Sequence, residues 1–213
     1  MISDAGMGVP AELGGAPSAV LIPVKSLVDA KLRLSGALDP AARMGFARSM
    51  AQHVVASAGP VPTFVVCDND EIATWARDVG ATVLWRPDRG LNGAVNDAMA
   101  ALGEAEIARV VVAHADLPFA RDLHSFADFA GVTLVPDRHG DGTNVCSVNP
   151  ASDFAFAYGA GSFRRHLAEA QRCGLAVRVI HSRRLGWDVD RPDDLNVPAD
   201  LEAELAQHLP ERP

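Results

Sequence analysis

Three aspartates are spaced in a way that could hold a hard cation. Asp116 follows three residues after the apolar run Arg109-Val-Val-Val-Ala113, within His114-Ala-Asp116-Leu-Pro118. In sheets of alternating strands and helices, ligands collect outside the carboxyl ends of the strands. Pro118 then ends the strand and stiffens the turn. Asp188 and Asp190 flank Val189. In extended backbone, residues i and i+2 share a face, so the two carboxylates stand together while Val189 turns inward. Like charges that close repel unless a cation intervenes. Two hard oxygen ligands with room for water and phosphate oxygens suit Mg²⁺. Each motif also has a plainer reading. Asp116 could cap the next turn, and Asp188 and Asp190 could belong to a solvated turn before Pro192. Asp193 and Asp194 do suit a helix N-terminus, where carboxylates are favoured.

A second chemical feature is basic. Of 19 basic residues only two are lysines, Lys25 and Lys31, and both fall in one short segment with Arg33. A compact ammonium differs from a guanidinium as a phosphate partner, which gives these positions a functional reading. The alternative is a general preference for arginine that leaves two lysines together by chance. The chain contains no GxSxG, HExxH or paired Cys/His cluster, and no GxxxxGK[ST] or GxGxxG loop. Serine and zinc hydrolase, P-loop and dinucleotide-dehydrogenase chemistries therefore lack their usual residues. The seven histidines are scattered, with His114 and His166 able to approach the acidic site.

Alternating elements must position these groups. Ala19–Val24, Thr63–Cys67, Ala81–Trp85 and Arg109–Ala113 read as strands, the last strongly so. Between them, helices are expected from Pro40, capped by Asp39, over Glu71–Val79 and over Leu91–Leu102. Further helices are expected over Arg121–Phe129, Ser162–Cys173 and Ala199–His208, and a strand over Ala176–His181. Strand-helix alternation implies βαβ units and a mainly parallel sheet covered on both faces. Val132–Val135 and Asn144–Val148 interrupt it, two strand-like runs with no helix between them. They predict a hairpin or antiparallel lobe over residues 132–160 that could carry an acceptor site.

Composition bounds the remaining possibilities. The chain has 213 residues, 48% of them hydrophobic and 22% charged, enough for one domain with a substantial core. A formal net charge of −8 argues against nucleic acid and anionic membranes as partners. It leaves room for a phosphorylated small substrate beside a metal and a few local cations. Cys67, Cys146 and Cys173 are odd in number and widely spaced, consistent with reduced thiols in the cytoplasm. Residues 1–18, rich in Gly, Ala and Pro, are expected to form a disordered extension rather than a signal peptide or membrane span. Residues 19–208 are expected to form a single domain.

Together these motifs resemble a known family. They are Lys25-Ser-Leu-Val-Asp-Ala-Lys31-Leu-Arg33, Leu91-Asn92-Gly-Ala94, Asp116-Leu-Pro118 and Gly140-Asp-Gly-Thr143-Asn144, followed by Tyr158-Gly159-Ala-Gly161-Ser162-Phe163-Arg-Arg-His166 and Asp188-Val-Asp190-Arg-Pro-Asp-Asp-Leu195. From about Ala19 to Leu195 this order is similar to that of the guanylyltransferases of coenzyme F-420 biosynthesis, which act on phosphoenolpyruvate or 2-phospho-L-lactate. The acidic motifs are shared with the wider nucleotidyltransferase superfamily; the basic loop and the Gly159–His166 run point to this family.

The resemblance implies a three-layer αβα, nucleotide-diphospho-sugar-transferase-like fold, GT-A-like and Rossmann-related. It implies GTP as donor, a small phosphorylated carboxylic acid as acceptor and Mg²⁺ as cofactor. By position, Asp116, Asp188 and Asp190 would bind the metal, and Lys25, Lys31 and Arg33 would neutralise the triphosphate. Thr143, Gly159 and Ser162 would bind the phospho-acid, and Asn92 would lie near the nucleoside. Where many superfamily relatives carry a Gly-rich loop after the first strand, this chain carries the basic stretch. Phosphoenolpyruvate is the expected acceptor, because high Ala, Arg and Gly usage is associated with GC-rich bacteria that use it. 2-Phospho-L-lactate and 3-phospho-D-glycerate are the alternatives, and handover of an unstable product to the next transferase is expected. Other readings are a sugar-1-phosphate or molybdopterin-type nucleotidyltransferase, a GT-A glycosyltransferase, and a nucleotide-binding module without turnover.

Overall fold

The strands divide their side chains between two cores, one on each face of a seven-stranded sheet. In the computed structural model, which describes residues 18–27 and 31–210, strand β1 spans Ser18–Pro23. Its Val20 and Ile22 pack on one face and its Ala19 and Leu21 on the other, the period of two that pleating imposes. The same alternation runs through β2 (Thr63–Cys67) and β4 (Arg109–Ala113). The expected extension over residues 1–18 lies, apart from Ser18, outside the described residues.

Helix α1 (Pro40–Ala56) and helix α2 (Asp70–Asp78) cover the first face, while α3 (Gly90–Glu104) and α4 (Ser162–Arg172) cover the second. Local chemistry sets where they begin. The Asp39 carboxylate accepts the Ala42 N–H at 2.8 Å, with Pro40 as the first helical residue. Asn69 caps α2 by accepting from the N–H groups of Glu71 and Ile72, which satisfies donors that lack intrahelical partners.

Strand β3 is Thr82–Trp85, β5 Val132–Pro136, β6 Thr143–Val148 and β7 Val177–Val179. The order is β3-β2-β1-β4-β6-β5-β7. The β3-β2-β1-β4 half is parallel, whereas β6 runs antiparallel to both β4 and β5, and β7 returns parallel to β5. The expected hairpin over residues 132–160 is thus built into the sheet as β5 and β6.

Two expectations need correction. The helix expected over Arg121–Phe129 is a short 3₁₀ stretch, Leu123–Asp128, and it begins only after Asp122, whose left-handed conformation (φ 47°) keeps residues 121 and 122 out of the helix. The strand expected over Ala176–His181 pairs only over Val177–Val179, at the sheet edge. A third core joins α1 to the C-terminal helix α5 (Ala199–Ala206) through Phe46, Met50, Phe119, Val189 and Leu201. Val189 therefore anchors the Asp188–Asp190 segment in apolar packing. Among the described residues, no helix is long and apolar enough to cross a membrane.

Candidate active site

Asp116 leaves the carboxyl end of β4 on a loop pinned from below. The carbonyl oxygen of Asp116 accepts the Val189 N–H at 3.3 Å, which joins the two acidic segments through their backbones. Val189 is fully buried, so Asp188 and Asp190 project outward toward Asp116. The three residues bring carboxylate oxygens within 4.8 Å of one another. Asn144, on β6, holds Asp188 in place: its amide donates to Leu185 O at 2.8 Å and to Asp188 Oδ1 at 3.3 Å.

A cation already stands among these acids. The Lys31 ammonium lies 2.6 Å from Asp116 Oδ2 and 2.7 Å from Asp190 Oδ1, with its side chain 8% exposed. Lys31 has φ 60° and ψ 32°, a left-handed conformation uncommon for a residue with a side chain. Burial pushes the Lys31 amine down, but Asp116 and Asp190 more than offset it and leave its pKa raised. Burial pushes the Asp116 carboxyl up, and the charges of Lys31 and His114 more than offset that, leaving it lowered. Asp188 is shifted up by burial and then by repulsion from Asp116, with the Asn144 hydrogen bond opposing.

The residues fit a divalent ion. Asp116 Oδ1 is buried and has no hydrogen-bond partner among the described residues, which normally costs about 1–3 kcal/mol and calls for an explanation. The donors are hard carboxylate oxygens, as Mg²⁺ prefers. The adjacent Lys31 ammonium shows that a positive charge is stable at this point.

The acids form part of the wall of a cavity of about 590 Å³. Its wall also carries Thr143, Gly159 and Ser162, so the structure gathers these three expected residues with the triad. Thr143 opens β6, and its N–H donates to Ser162 Oγ at 3.1 Å. Gly159 (φ 116°) and Gly161 (φ 72°) turn the chain into α4 in conformations that favour glycine. Arg33 is exposed and also lines this cavity.

Two expected residues sit elsewhere. Lys25 is exposed and lines a second cavity of about 300 Å³, whose wall also includes Lys31, His114 and Asp116. Asp116 is therefore shared by both cavities. Asn92 does not offer its amide to either of these cavities. Its Oδ1 accepts the Tyr158 N–H at 2.6 Å and its Nδ2 donates to Tyr158 O at 3.2 Å. One turn later Asn96 clamps Phe156 in the same way, at 2.8 and 3.2 Å. The helical i, i+4 pair thus holds an i, i+2 pair, and Asn92 anchors the segment leading to Gly159.

Sequence reasoning did not single out Arg138, Arg191 or Asn144. Arg138 and Arg191 line the larger cavity. Arg138 stacks over Trp187 at 4.4 Å, donates to Asp188 O at 3.3 Å and pairs with Asp194. Asp194 in turn accepts the N–H groups of Asp190 and Arg191 at 2.7 Å each. This is the capping role foreseen for Asp194. The available signal for Arg138 was its place in the turn-rich Asp137–Gly142 stretch, which carries no partner information.

Comparison with known proteins bears on the family and the fold. The chain matches the guanylyl transferase CofC-like family over residues 18–197. It is 33% identical over 204 residues to a phosphoenolpyruvate guanylyltransferase of Sphaerobacter thermophilus, covering 89% of this chain and 93% of that one. It is also 33% identical over 183 residues to a 2-phospho-L-lactate guanylyltransferase of Methanothermobacter thermautotrophicus, covering 82% and 81%. Among solved structures it resembles a nucleotidyl transferase from M. thermautotrophicus with a TM-score of 0.60 at 14% identity, covering 91% and 99%. A CMP:2-keto-3-deoxy-manno-octonic acid synthetase complexed with CTP is similar at a TM-score of 0.56 and 14% identity, covering 91% and 100%. These structural likenesses concern the fold, mostly parallel with nucleotidyltransferase architecture. With the family matched over most of its length and the acidic triad assembled at the carboxyl end of β4, the chain belongs to the guanylyl transferase CofC-like family of nucleotidyltransferases.

Proposed function

We propose that this chain transfers GMP from GTP to a small phosphorylated carboxylic acid, with phosphoenolpyruvate as the preferred acceptor. The observation that carries the reading is the position of Asp116, on the wall common to two cavities and beside Asp188 and Asp190. Two phosphate-bearing molecules reaching Asp116 from opposite sides would meet at the acids. The relatives named as phosphoenolpyruvate and 2-phospho-L-lactate guanylyltransferases support the substrate class.

The chemistry asks little of a proton-transfer group. A phosphate oxygen of the acceptor attacks the α-phosphorus of GTP; a new P–O–P bridge forms, and the bond from the α-phosphorus to the β-phosphate oxygen breaks. Pyrophosphate leaves with the electron pair. A phosphomonoester with second pKa about 6 is largely dianionic at neutral pH, so the nucleophile needs no base. The protein contributes alignment and charge neutralisation.

Asp116, Asp188 and Asp190 would hold Mg²⁺, which when bound would neutralise phosphate charge. In this reading Thr143, Gly159 and Ser162 hold the phospho-acid in the larger cavity, with Arg33 and Arg191 supplying cationic walls. Lys25 faces the triphosphate in the second cavity. Lys31, held between Asp116 and Asp190 and lining the same cavity, would neutralise the leaving pyrophosphate.

The test is GTP-dependent pyrophosphate release with phosphoenolpyruvate, 2-phospho-L-lactate and 3-phospho-D-glycerate in parallel, repeated with CTP, UTP and ATP. Release with GTP and phosphoenolpyruvate above the other pairs is expected. Release only with another nucleotide, or with none of the acids, overturns the reading.

A further inference from the structure

Behind the larger cavity, and outside its lining, lies a fully buried histidine. His166 on α4 is 0% exposed and caged by Phe154, Phe156 and Tyr158, with ring centroids 5.0–5.8 Å away. Its two nitrogens have different partners. Nε2 lies 3.0 Å from the Ala157 backbone nitrogen, whose N–H can only donate. The lone pair must therefore be on Nε2, and a neutral ring must carry its proton on Nδ1. Burial, helped by the Arg165 and His114 charges and opposed by Glu169, pushes the imidazole down to about 4, so the ring is neutral near pH 7.

The consequence passes to Thr143. Nδ1 is 3.0 Å from Thr143 Oγ1, and with the proton on Nδ1 the hydroxyl oxygen is the acceptor. The Thr143 hydroxyl proton is then left for another partner, and Thr143 lines the cavity. Ser162 is arranged in parallel. Its Oγ accepts the Thr143 N–H at 3.1 Å, which leaves its own proton uncommitted, and Ser162 also lines the cavity. A hydroxyl has one proton to donate and two lone pairs; here one lone pair of each is engaged from behind and each proton is left free.

We propose that His166 is a positioning residue that, by donating to Thr143 Oγ1, frees the Thr143 hydroxyl proton, so that Thr143 and Ser162 form a paired donor for an oxyanion of the acceptor. This rests on the acceptor site proposed above. Two neutral donors suit a phosphate or carboxylate oxygen. His166 itself touches no substrate.

The experiment has two arms. In the first, nitrogen-15 NMR of the histidine-labelled full chain near pH 7 reads the tautomer of His166. Protonated Nδ1 with unprotonated Nε2 is expected; the reverse tautomer or an imidazolium overturns the inference whatever the enzyme turns over. The second arm is kinetic, with phosphoenolpyruvate and GTP. His166→Phe keeps a ring and removes both hydrogen bonds, and should raise the acceptor KM about tenfold with the GTP KM unchanged, the scale of one hydrogen bond. His166→Asn, whose amide N–H reaches the Nδ1 position, should recover most of that loss. In a Thr143→Val background, His166→Phe should add little.

A merely structural role would instead raise both KM values or lower kcat, and would persist in the Thr143→Val background; either result overturns the inference. If the wild type turns over no acid, the acceptor reading fails while the NMR arm still decides the orientation of the Thr143 hydroxyl.

Discussion

Acid sensitivity can be worked out from a single side chain. His166 is fully buried, and its pKa is depressed from 6.5 to about 4, chiefly by burial. In this window the unfolded chain binds a proton that the native state refuses. Stability is therefore fully present above about pH 6.5 and falls as the pH drops toward 4. The full difference is worth about 3 kcal/mol, and the part lost between about pH 7.5 and pH 5 is about 2 kcal/mol. His53 and His208 are shifted the same way by burial, so the wild type carries a common background slope from those two.

The comparison that isolates His166 is the urea unfolding free energy of wild type and His166→Asn at about pH 7.5, 6.5, 5.5 and 5. The variant should be less stable at neutral pH, because a smaller side chain leaves a gap beneath the cavity. Its stability should nevertheless fall by about 2 kcal/mol less than that of wild type over this range. Glu169 and Glu204, whose pKa values are lowered to about 2 by their arginine partners, lose their contribution only at lower pH and do not confuse the interval. Parallel curves for the two proteins would refute the reasoning, since they would mean that His166 takes up its proton equally readily in both states.

Other outcomes are as specific. Asp116→Asn or Asp188→Asn should cut GTP-dependent pyrophosphate release by at least ~10²-fold, the scale of one strong electrostatic contact; near-wild-type rates at saturating Mg²⁺ would remove these residues from the proposed metal site. Lys31→Met leaves Asp116 and Asp190 without their internal partner, so it should destabilise the metal-free protein by about 2 kcal/mol. Added Mg²⁺ should raise the Tm of that variant more than that of wild type, and equal shifts would show that the ammonium and the metal do not share a place. Gly131→Ala would place a Cβ 2.0 Å from the carbonyl oxygen of Ala176, at the join between β5 and β7. A loss of about 2–3 kcal/mol is expected in thermal unfolding, and an unchanged Tm would contradict the close approach.

The parts of the site that were legible in the sequence are those governed by local geometry. Asp188 and Asp190 could be paired because Val189 between them is apolar and must turn inward, as it does. Asp116 could be placed because a strand's carboxyl end follows directly from the run Arg109–Ala113. The Asp39 cap and the β5–β6 hairpin follow from equally local signals. What could not be read depends on distant partners or on rare backbone states. Lys31 meets Asp116 and Asp190 across 85 and 159 residues and only from a left-handed conformation. The hydrogen bonds between Asn92 and Tyr158 are invisible until α3 packs against residues 154–158. The left-handed Asp122 (φ 47°), after which the 3₁₀ stretch begins, likewise gives no local signal. Arg138 acts through Trp187 and Asp194, about 50 residues away, and no motif announces such a link.

The change of strand direction at β6 has a consequence for how such a protein can diversify. The triad's Asp116 comes from the parallel half of the sheet, whereas Thr143, Gly159, Ser162 and His166 fall within one continuous stretch that begins at the antiparallel strand. That stretch is not independent of the triad. Its Asn144 and Arg138 brace the Asp188–Asp194 segment, and β6 borders the parallel half at β4. Change within residues 132–172 is therefore confined to a few cavity-lining positions such as Thr143, Gly159 and Ser162, while the residues beside them must stay fixed to keep the three acids together.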